Sequence, residues 1–133
     1  MLGELIYEDK GTTTGIRVLE SENGCAKVEV SIQTEGKILG VEQTCLWSYW
    51  SETRADGSIH GQGKGFMTTK DGAVINLVGS GVGKAIGDGF EYRGAIYFHS
   101  SAEKYSHLNT IAGAMEYGVD GAGNTVTKVW EWK

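Results

Sequence analysis

The sequence predicts an all-β fold: a single closed antiparallel β-barrel of about eight strands in meander order, formed by residues 1–133 as one domain. Turn signals recur at near-regular intervals, and strand-like runs without helical periodicity fill the gaps between them. Asp-Gly and Asn-Gly pairs tolerate the positive φ of tight hairpin turns, so each marks a point where the chain can reverse. When a meander closes into a barrel, its first and last strands pair, so no strand edge is left with unpaired backbone groups. The predicted turns are Ser21–Gly24, Gly36–Lys37, Asp56–Gly57, Asp71–Gly72, Asp88–Gly89 and Val119–Asn124.

Eight runs between these turns are predicted as strands. The first could be one long bent strand or a hairpin that turns near Gly11. The second has the clearest alternation of apolar and polar residues, which is typical of a strand with one buried and one wet face. The segment Ser100–Leu108 has the composition of a loop or a short 3₁₀ helix. The predicted strands are Glu4–Glu20, Cys25–Glu35, Ile38–Thr53, Ile59–Lys70, Ala73–Gly87, Phe90–Ala102, Asn109–Gly118 and Thr125–Trp132.

Composition narrows the class of protein. The 133 residues suffice for one core, and 40% hydrophobic with 22% charged residues indicate a globular chain. The 21 glycines and the absence of proline fit long paired strands. A net charge of −5, with both signs interleaved, disfavours a nucleic-acid partner. The chain shows neither an apolar run of membrane-spanning length nor a secretory signal pattern, so no membrane partner is predicted.

The two cysteines are predicted to be free thiols. If a two-residue turn lies at Gly36–Lys37, Cys45 faces Val28 and Cys25 faces Ser48. At about 3.3 Å per residue the two sulfurs would then be roughly 10 Å apart along the strand, too far for a disulfide. Free thiols indicate a reducing compartment, and we expect a cytoplasmic protein.

Glycine stands at every second position in Gly61–Gly65 and again in Gly79–Gly83. We interpret both runs as a strongly coiled part of the barrel, where glycine relieves crowding.

The stretch Val78–Ala85 superficially suggests a phosphate loop, but it lacks the first glycine, the final Ser or Thr and a following helix. The three histidines lack the short spacings of metal ligands, and no nucleophile elbow occurs. No metal and no cofactor is predicted.

The aromatic cluster in the third strand offers the first candidate site residues. Strand alternation places Trp47 and Tyr49 on the face that pairs with the buried side of the second strand, so both should line the barrel interior. They could be core packing or the wall of a ligand cavity. If two-residue turns continue along the chain, Tyr97, Arg93 and His99 come to the same inner side. An interior that held Lys64, Lys84, Arg93, His60 and His99 would be an anion-binding cavity.

A three-residue loop at any hairpin would reverse every face beyond it. The interior would then hold the glycine face together with aromatic and aliphatic side chains. We favour this mixed arrangement, because burying several cations without partners is costly. The side chains that it turns inward are Phe90, Tyr92, Ile96 and Phe98.

Two charged residues lie mid-strand among largely apolar or glycine-rich neighbours. Glu42 and Arg93 could therefore belong to a buried or interfacial ion pair. The alternative is an ordinary solvated strand face, where an ion pair contributes little. Both interpretations stay open at this point.

The last strand carries Trp130 and Trp132 on one face. In a closed barrel this strand pairs with the first one, near Leu5 and Tyr7. The two indoles would then either plug the barrel or form a subunit contact. Because exposed tryptophan pairs are disfavoured on a monomer, we predict a homo-oligomer, either a dimer or a higher assembly.

The order of these features resembles a family of small uncharacterised bacterial β-barrel proteins, related in fold to the allene oxide cyclase and dirigent barrels of plants. The resemblance covers most of the chain, from about Val28 onward, and rests on glycines and turns. It implies the barrel and transfers no catalytic residues. The resembling parts are Gly36–Gly40, Asp56–Ser58, Gly61–Phe66, Gly79–Gly83 and the short last strand.

Our leading hypothesis is a barrel that binds a small lipophilic or aromatic molecule, and Arg93 would suit a ligand that carries a carboxylate. One alternative is a cyclase-like or isomerase-like enzyme that acts through the shape of its cavity, with Glu42 or His99 transferring protons. Another is a structural oligomeric barrel with a packed core and no ligand. The candidate ligand-binding residues are Trp47, Tyr49, Arg93, Tyr97, His99 and Glu42.

Overall fold

The computed structural model describes all 133 residues. They form a closed barrel in which each strand pairs with its neighbours in sequence and β1 closes on β8, so the predicted fold class and meander order are confirmed. A 3₁₀ helix, Glu103–Thr110, lies between β6 and β7. The strands are β1 Leu2–Glu22, β2 Cys25–Ile38, β3 Val41–Thr53, β4 Ile59–Thr69, β5 Val74–Ile86, β6 Gly89–His99, β7 Ala112–Val119 and β8 Asn124–Trp132.

The first strand is one continuous strand of 21 residues, and it does not turn near Gly11. Shifts in its pairing with β2 occur after Thr13 and after Val18. Such bulges bend a strand and increase its twist, which lets a strand of this length follow the curved wall. β8 pairs with β1 only as far as Thr12, so the remainder of β1 pairs with β2 alone.

The turn between β2 and β3 lies three residues later than predicted. Leu39 and Gly40 form it, with φ angles of 50° and 79°, as the two central residues of a type I′ turn require. Leucine is an unusual residue at positive φ. The Leu39 amide donates a hydrogen bond of 2.8 Å to the Ile6 carbonyl of β1, and this tertiary contact helps to hold the conformation. The predicted turn Gly36–Lys37 instead lies within β2.

The later turn shifts the register between β2 and β3, but the same side chains of β3 still face the interior. Cys45 lies opposite Thr34 and not opposite Val28, a displacement of six positions. Because six is an even number, the inward side chains of β3 are the predicted ones. Cys25 and Cys45 are both free, as expected.

One connection reverses the faces beyond it. Thr53 and Ile59 are the paired ends of β3 and β4, so five residues join these strands, where the prediction assumed a two-residue turn at Asp56–Gly57. An odd number of connecting residues exchanges the two faces of the next strand. β4 therefore presents its glycines to the interior, and Lys64 points outward.

β7 begins at Ala112, later than predicted, because the 3₁₀ helix occupies the preceding residues.

The 3₁₀ helix closes one end of the barrel, and we call it the plug helix. Tyr105 and Leu108 extend from it into the interior and are fully buried. Asp71, in the turn between β4 and β5, accepts hydrogen bonds from the Tyr105 hydroxyl (2.9 Å) and the Lys104 ammonium (2.6 Å). These contacts and the buried side chains fix the plug helix against the strand ends, so we call this the lower end.

Two hydrophobic clusters fill the interior. Trp47 and Met115 pack against both clusters and connect them. The lower cluster lies against the plug helix, and the upper cluster is smaller. The lower cluster consists of Ile6, Tyr7, Ile38, Cys45, Met67, Ile75, Leu77, Ile96, Phe98, Tyr105, Leu108 and Val129. The upper cluster consists of Val30, Ile32, Ile59, Tyr92 and Tyr117.

The Trp47 indole lies directly on Gly65 of β4. A Cβ atom at that position would be 2.7 Å from Cε2 of the indole. The ring is also held between the two clusters, so it has little freedom to move away. Glycine at this position is therefore required by the close approach of the indole.

We predict that Gly65→Ala lowers the free energy of unfolding by about 1–3 kcal/mol, the usual cost of overfilling a packed core. Urea denaturation followed by circular dichroism measures it. Gly15→Ala is the matched control, because a Cβ there meets no atom within 4 Å. The control should be neutral or slightly stabilising. Equal stability of the two variants would contradict the packing of Trp47 on Gly65.

Candidate functional site

A cavity of about 60 Å³ lies in the interior between the two clusters. The glycines of β4 and β5 give it a wall of bare backbone, and aromatic rings from β3, β6 and β7 flank that wall. Met115 and Thr127 also line the cavity. A water molecule needs about 10–15 Å³ of such space, so the cavity takes a few small groups. The four rings are Trp47, Tyr49, Tyr92 and Tyr117.

Three tyrosines form one cluster beside this cavity. The ring centroids of Tyr92 and Tyr117 are 5.5 Å apart, and those of Tyr49 and Tyr117 are 5.7 Å apart with the rings nearly perpendicular. The hydroxyl oxygens of Tyr49 and Tyr117 are 3.0 Å apart, and the Tyr92 hydroxyl is 3.0 Å from Ser51 Oγ. Burial raises the pKa of Tyr49 to about 12 and raises the pKa of Tyr117 further. The cluster therefore presents neutral hydroxyl groups at physiological pH.

A buried carboxyl group lies deeper in the barrel. Asp9 of β1 is only 4% exposed, and the Tyr7 hydroxyl donates a hydrogen bond to its Oδ2 atom. The Trp47 indole donates in turn to the Tyr7 oxygen at 3.2 Å. This chain of hydrogen bonds connects an aromatic wall of the cavity to the carboxyl group.

Burial raises the pKa of Asp9, because the carboxylate loses its hydration inside the barrel. The hydrogen bond from Tyr7 opposes this rise, as do the nearby hydroxyls of Thr34 and Thr127. The Oδ1 atom of Asp9 nevertheless has no hydrogen-bond partner in the chain.

Burial also raises the pKa of the Cys45 thiol to about 12, so this cysteine is not an activated nucleophile.

The structure brings two of the six predicted site residues to the cavity. Trp47 and Tyr49 line it, because their inward placement depends only on the β2–β3 register. The other four predicted residues lie on the outer face of the barrel.

The inward placement of Tyr97 and His99 was wrong. Tyr97 lies opposite Val78, which lies opposite Lys64, and all three point outward. Tyr97 is 51% exposed. The five-residue connection between β3 and β4 is the physical reason, since it turned the glycine face inward. The mixed arrangement that the sequence favoured, in which Tyr92, Ile96 and Phe98 lie inside, is the observed one, whereas Phe90 at the rim is 43% exposed.

Arg93 and Glu42 also lie on the outer face, each in an exposed ion pair. Arg93 pairs on the outer surface with Glu91 at 2.7 Å and approaches Glu116 at 3.9 Å. Glu42 pairs with Lys70 at 2.9 Å, also in solvent. Both pairs belong to the solvated strand faces that the sequence left open as the alternative, where screening keeps such pairs weak.

Sequence reasoning missed several polar interior residues, among them Tyr7, Asp9, Gln43 and Tyr117, although the strand alternation gave a signal for some of them. Tyr7 and Asp9 share one face of β1, and Tyr117 shares the inward face of β7 with Met115. A carboxylate on an otherwise apolar face was therefore visible in the alternation of β1. Gln43 has the same parity as Trp47 in β3, but its burial depends on the later position of the β2–β3 turn.

Comparisons with known proteins show the fold. A protein of unknown function from Clostridium acetobutylicum matches with a TM-score of 0.86, 13% identity and 98% coverage of both chains. A conserved protein of unknown function from Rhodopseudomonas palustris matches with a TM-score of 0.82, 14% identity and coverage of 98% of this chain and 97% of that one. An enzyme from Penicillium herquei matches with a TM-score of 0.70, 18% identity and coverage of 98% and 96%.

No family model and no curated protein matches the chain. The structural neighbours agree with the resemblance to uncharacterised bacterial barrels. At these identities the likeness concerns the fold alone, and the relation to the allene oxide cyclase barrels stays a prediction.

The C-terminal tryptophans do not plug the barrel. Trp132 lies opposite Leu2 on the outer face and is 64% exposed. Trp130 lies opposite Leu5 and is partly covered. The homo-oligomer stays a prediction, and this outer face is its candidate contact.

The chain contains no helix with the length and hydrophobicity that a membrane span requires.

The raised pKa of Asp9 predicts a distinctive pH dependence. The folded state binds the proton more tightly than the unfolded chain, so the stabilising contribution is complete below the unfolded pKa of about 4 and is lost as the pH rises through the folded pKa. Asp9→Asn removes this loss. We expect the stability of Asp9→Asn relative to the native sequence to increase between pH 4 and pH 7 in urea titrations.

Glu42→Gln is the control of opposite sign. The hydrogen bond from Lys70 lowers the pKa of Glu42, so its contribution is present above the unfolded pKa and is lost as the pH falls. The relative stability of Glu42→Gln should therefore decrease over the same rise in pH. The same slope for both variants would contradict the burial of the Asp9 carboxyl group.

Proposed function

We propose that the protein binds a small lipophilic or aromatic molecule inside the barrel. The observation that carries this proposal is the cavity bounded by aromatic rings on both sides of a glycine wall. Interior side chains of a small barrel usually fill it, and here β4 and β5 provide none over Gly61, Gly63, Gly79 and Gly81. Apolar cavities with a few convergent polar groups are the usual form of small-molecule sites.

The two ends of the barrel suggest how a ligand would enter. The plug helix closes the lower end with two fully buried side chains. The upper cluster contains five buried residues, against twelve in the lower cluster. Entry from the upper end would therefore displace fewer contacts. Drug-sized sites occupy about 300–1,000 Å³, so the ligand is either small or binds with a rearrangement of the upper tyrosines.

A titration of tryptophan fluorescence against aromatic and aliphatic compounds tests the proposal. Binding should change the emission of the native protein, because Trp47 lines the cavity. The change should be largely lost in Trp47→Phe and retained in Trp50→Phe, since Trp50 lies on the outer face beside Lys27 and His60. Flat titration curves for every compound, or a signal that depends on Trp50, would contradict the proposal.

A cyclase-like or isomerase-like enzyme is the second candidate. Glu42 and His99 cannot serve it from the outer face. The observation that favours it is Asp9, a buried carboxyl group hydrogen-bonded to Tyr7 close to the cavity, as proton-transfer groups often are. The structural similarity to an enzyme from Penicillium herquei is compatible with it. Recovery of every bound compound unchanged, as followed by NMR, would count against this candidate.

A purely structural barrel with a packed core is the third hypothesis. The cavity and the unpartnered polar atoms of the interior argue against complete packing. The exposed Trp132 is still compatible with an oligomeric contact on the outer face.

A further inference from the structure

A polar layer crosses the interior next to the aromatic cavity. In the strand register, Thr127 of β8 lies opposite Asp9 of β1, Asp9 lies opposite Gly36 of β2, and Gly36 lies opposite Gln43 of β3. Thr69 of β4 follows opposite Gln43. The four side chains are each at most 5% exposed. A continuous row of buried polar groups is unusual in a small barrel, because most interior positions are apolar.

Several polar atoms of this region have no partner in the chain. They are Oδ1 of Asp9, both the oxygen and the nitrogen of the Gln43 amide, and Oγ1 of Thr125. Buried polar side-chain atoms are nearly always hydrogen-bonded, and an unsatisfied one lowers stability. A group from outside the chain that bonded to these atoms would remove this cost.

The glycine in the row contributes no side chain between the two unsatisfied groups. Gly36 has no side chain because the backbone of β1 is too close, and a Cβ there would lie 2.0 Å from the Glu8 carbonyl oxygen. Asp9 and Gln43 therefore flank an interior position without a side chain, about two strand spacings apart. Thr127, which lies opposite Asp9, also lines the aromatic cavity, so the row reaches the cavity at this residue.

The charge of the layer is as informative as its shape. Asp9 is the only charged residue among the buried residues, and no lysine, arginine or histidine is buried. A bound carboxylate would approach Asp9 without a cation to compensate, which is unfavourable in a low-dielectric interior. This reverses the expectation of a carboxylate ligand, which depended on an inward Arg93.

We propose that Asp9 and Gln43 form the polar end of the ligand site and select a head group that donates a hydrogen bond, such as a hydroxyl or an amine, over a carboxylate. Asp9 Oδ1 accepts from the head group. The Gln43 amide both donates and accepts, so it matches a hydroxyl, which does the same. The apolar part of the ligand lies against Trp47 and the glycine wall. This inference rests on the proposed function, and its test distinguishes the two.

The test uses four probes that share one fluorinated ring and differ in the head group. They are 4-fluorobenzyl alcohol, 4-fluorobenzylamine, 4-fluorotoluene and 4-fluorobenzoate, each titrated with the full chain and followed by ¹⁹F NMR. The alcohol and the amine should bind about tenfold or more tightly than the toluene, as expected for a satisfied buried partner. The benzoate should bind most weakly.

Two substitutions assign the preference to its residues. Gln43→Met keeps the length of the side chain and removes both polar atoms, so the alcohol should lose its advantage over the toluene. Asp9→Asn keeps the shape and removes the charge, so the amine should lose its advantage and the benzoate should no longer be penalised. Near-ultraviolet circular dichroism confirms that each variant is folded, and the four probes on the native chain decide the question even if a variant is not.

Each result has a distinct meaning. Equal affinity of the alcohol and the toluene would overturn the inference, would indicate that water alone satisfies the layer, and would leave the binding function intact. Tightest binding of the benzoate would also overturn it. No binding of any probe at millimolar concentration would overturn the proposed function itself, and the inference with it.

Discussion

Closure of the sheet is the constraint on which the remaining features depend. Hydrogen bonds between β1 and β8 join the first strand to the last, so every side chain of the wall lies either inside or outside. In a pleated strand the two sides alternate, and the length of each hairpin connection decides which residues face the interior. The inside of this barrel is thus set by a few short connections, above all the five residues between Thr53 and Ile59.

The interior is divided between a bare half and a filled half. β4 and β5 contribute glycines, while β3, β6 and β7 contribute large rings that pack toward them. Where a ring lies on a glycine, as Trp47 does on Gly65, the core is dense. Where the rings do not reach the glycine wall, a cavity remains. The same feature of the sequence, glycine at every second position, therefore explains both the packing of Trp47 and the candidate site.

The polar interior adds a second level of organisation. Tyr7 connects Trp47 to Asp9 through two hydrogen bonds, so the aromatic wall and the buried carboxyl group are held in one arrangement. Gln43 faces the same interior without a partner. A barrel built only for stability would gain by replacing such groups with apolar ones, since unpaired buried polar atoms are destabilising. Their presence in the same interior as the cavity is the reason we propose this region as the ligand site.

Most of the fold could be predicted from the sequence, because the turns and the alternation are local signals. The inward placement of Trp47 and Tyr49 also followed, because a turn three residues later moves the register by six positions, an even number that keeps the faces. Arg93, Tyr97 and His99 were site candidates only if two-residue turns continued along the chain, and the length of a loop cannot be read from an Asp-Gly pair alone. The turn at Leu39 was missed because a hydrogen bond to the distant Ile6 supports it, and such contacts have no local signature.

Xenon binding in a crystal of the native chain is the measurement that tests the central claim most directly. Xenon enters dry apolar cavities and is located by its scattering. The account predicts a xenon atom inside the barrel, between Trp47, Gly79 and Met115. A pressurised crystal in which xenon occupies only surface sites, with the interior rings filling the space over the glycines, would contradict it.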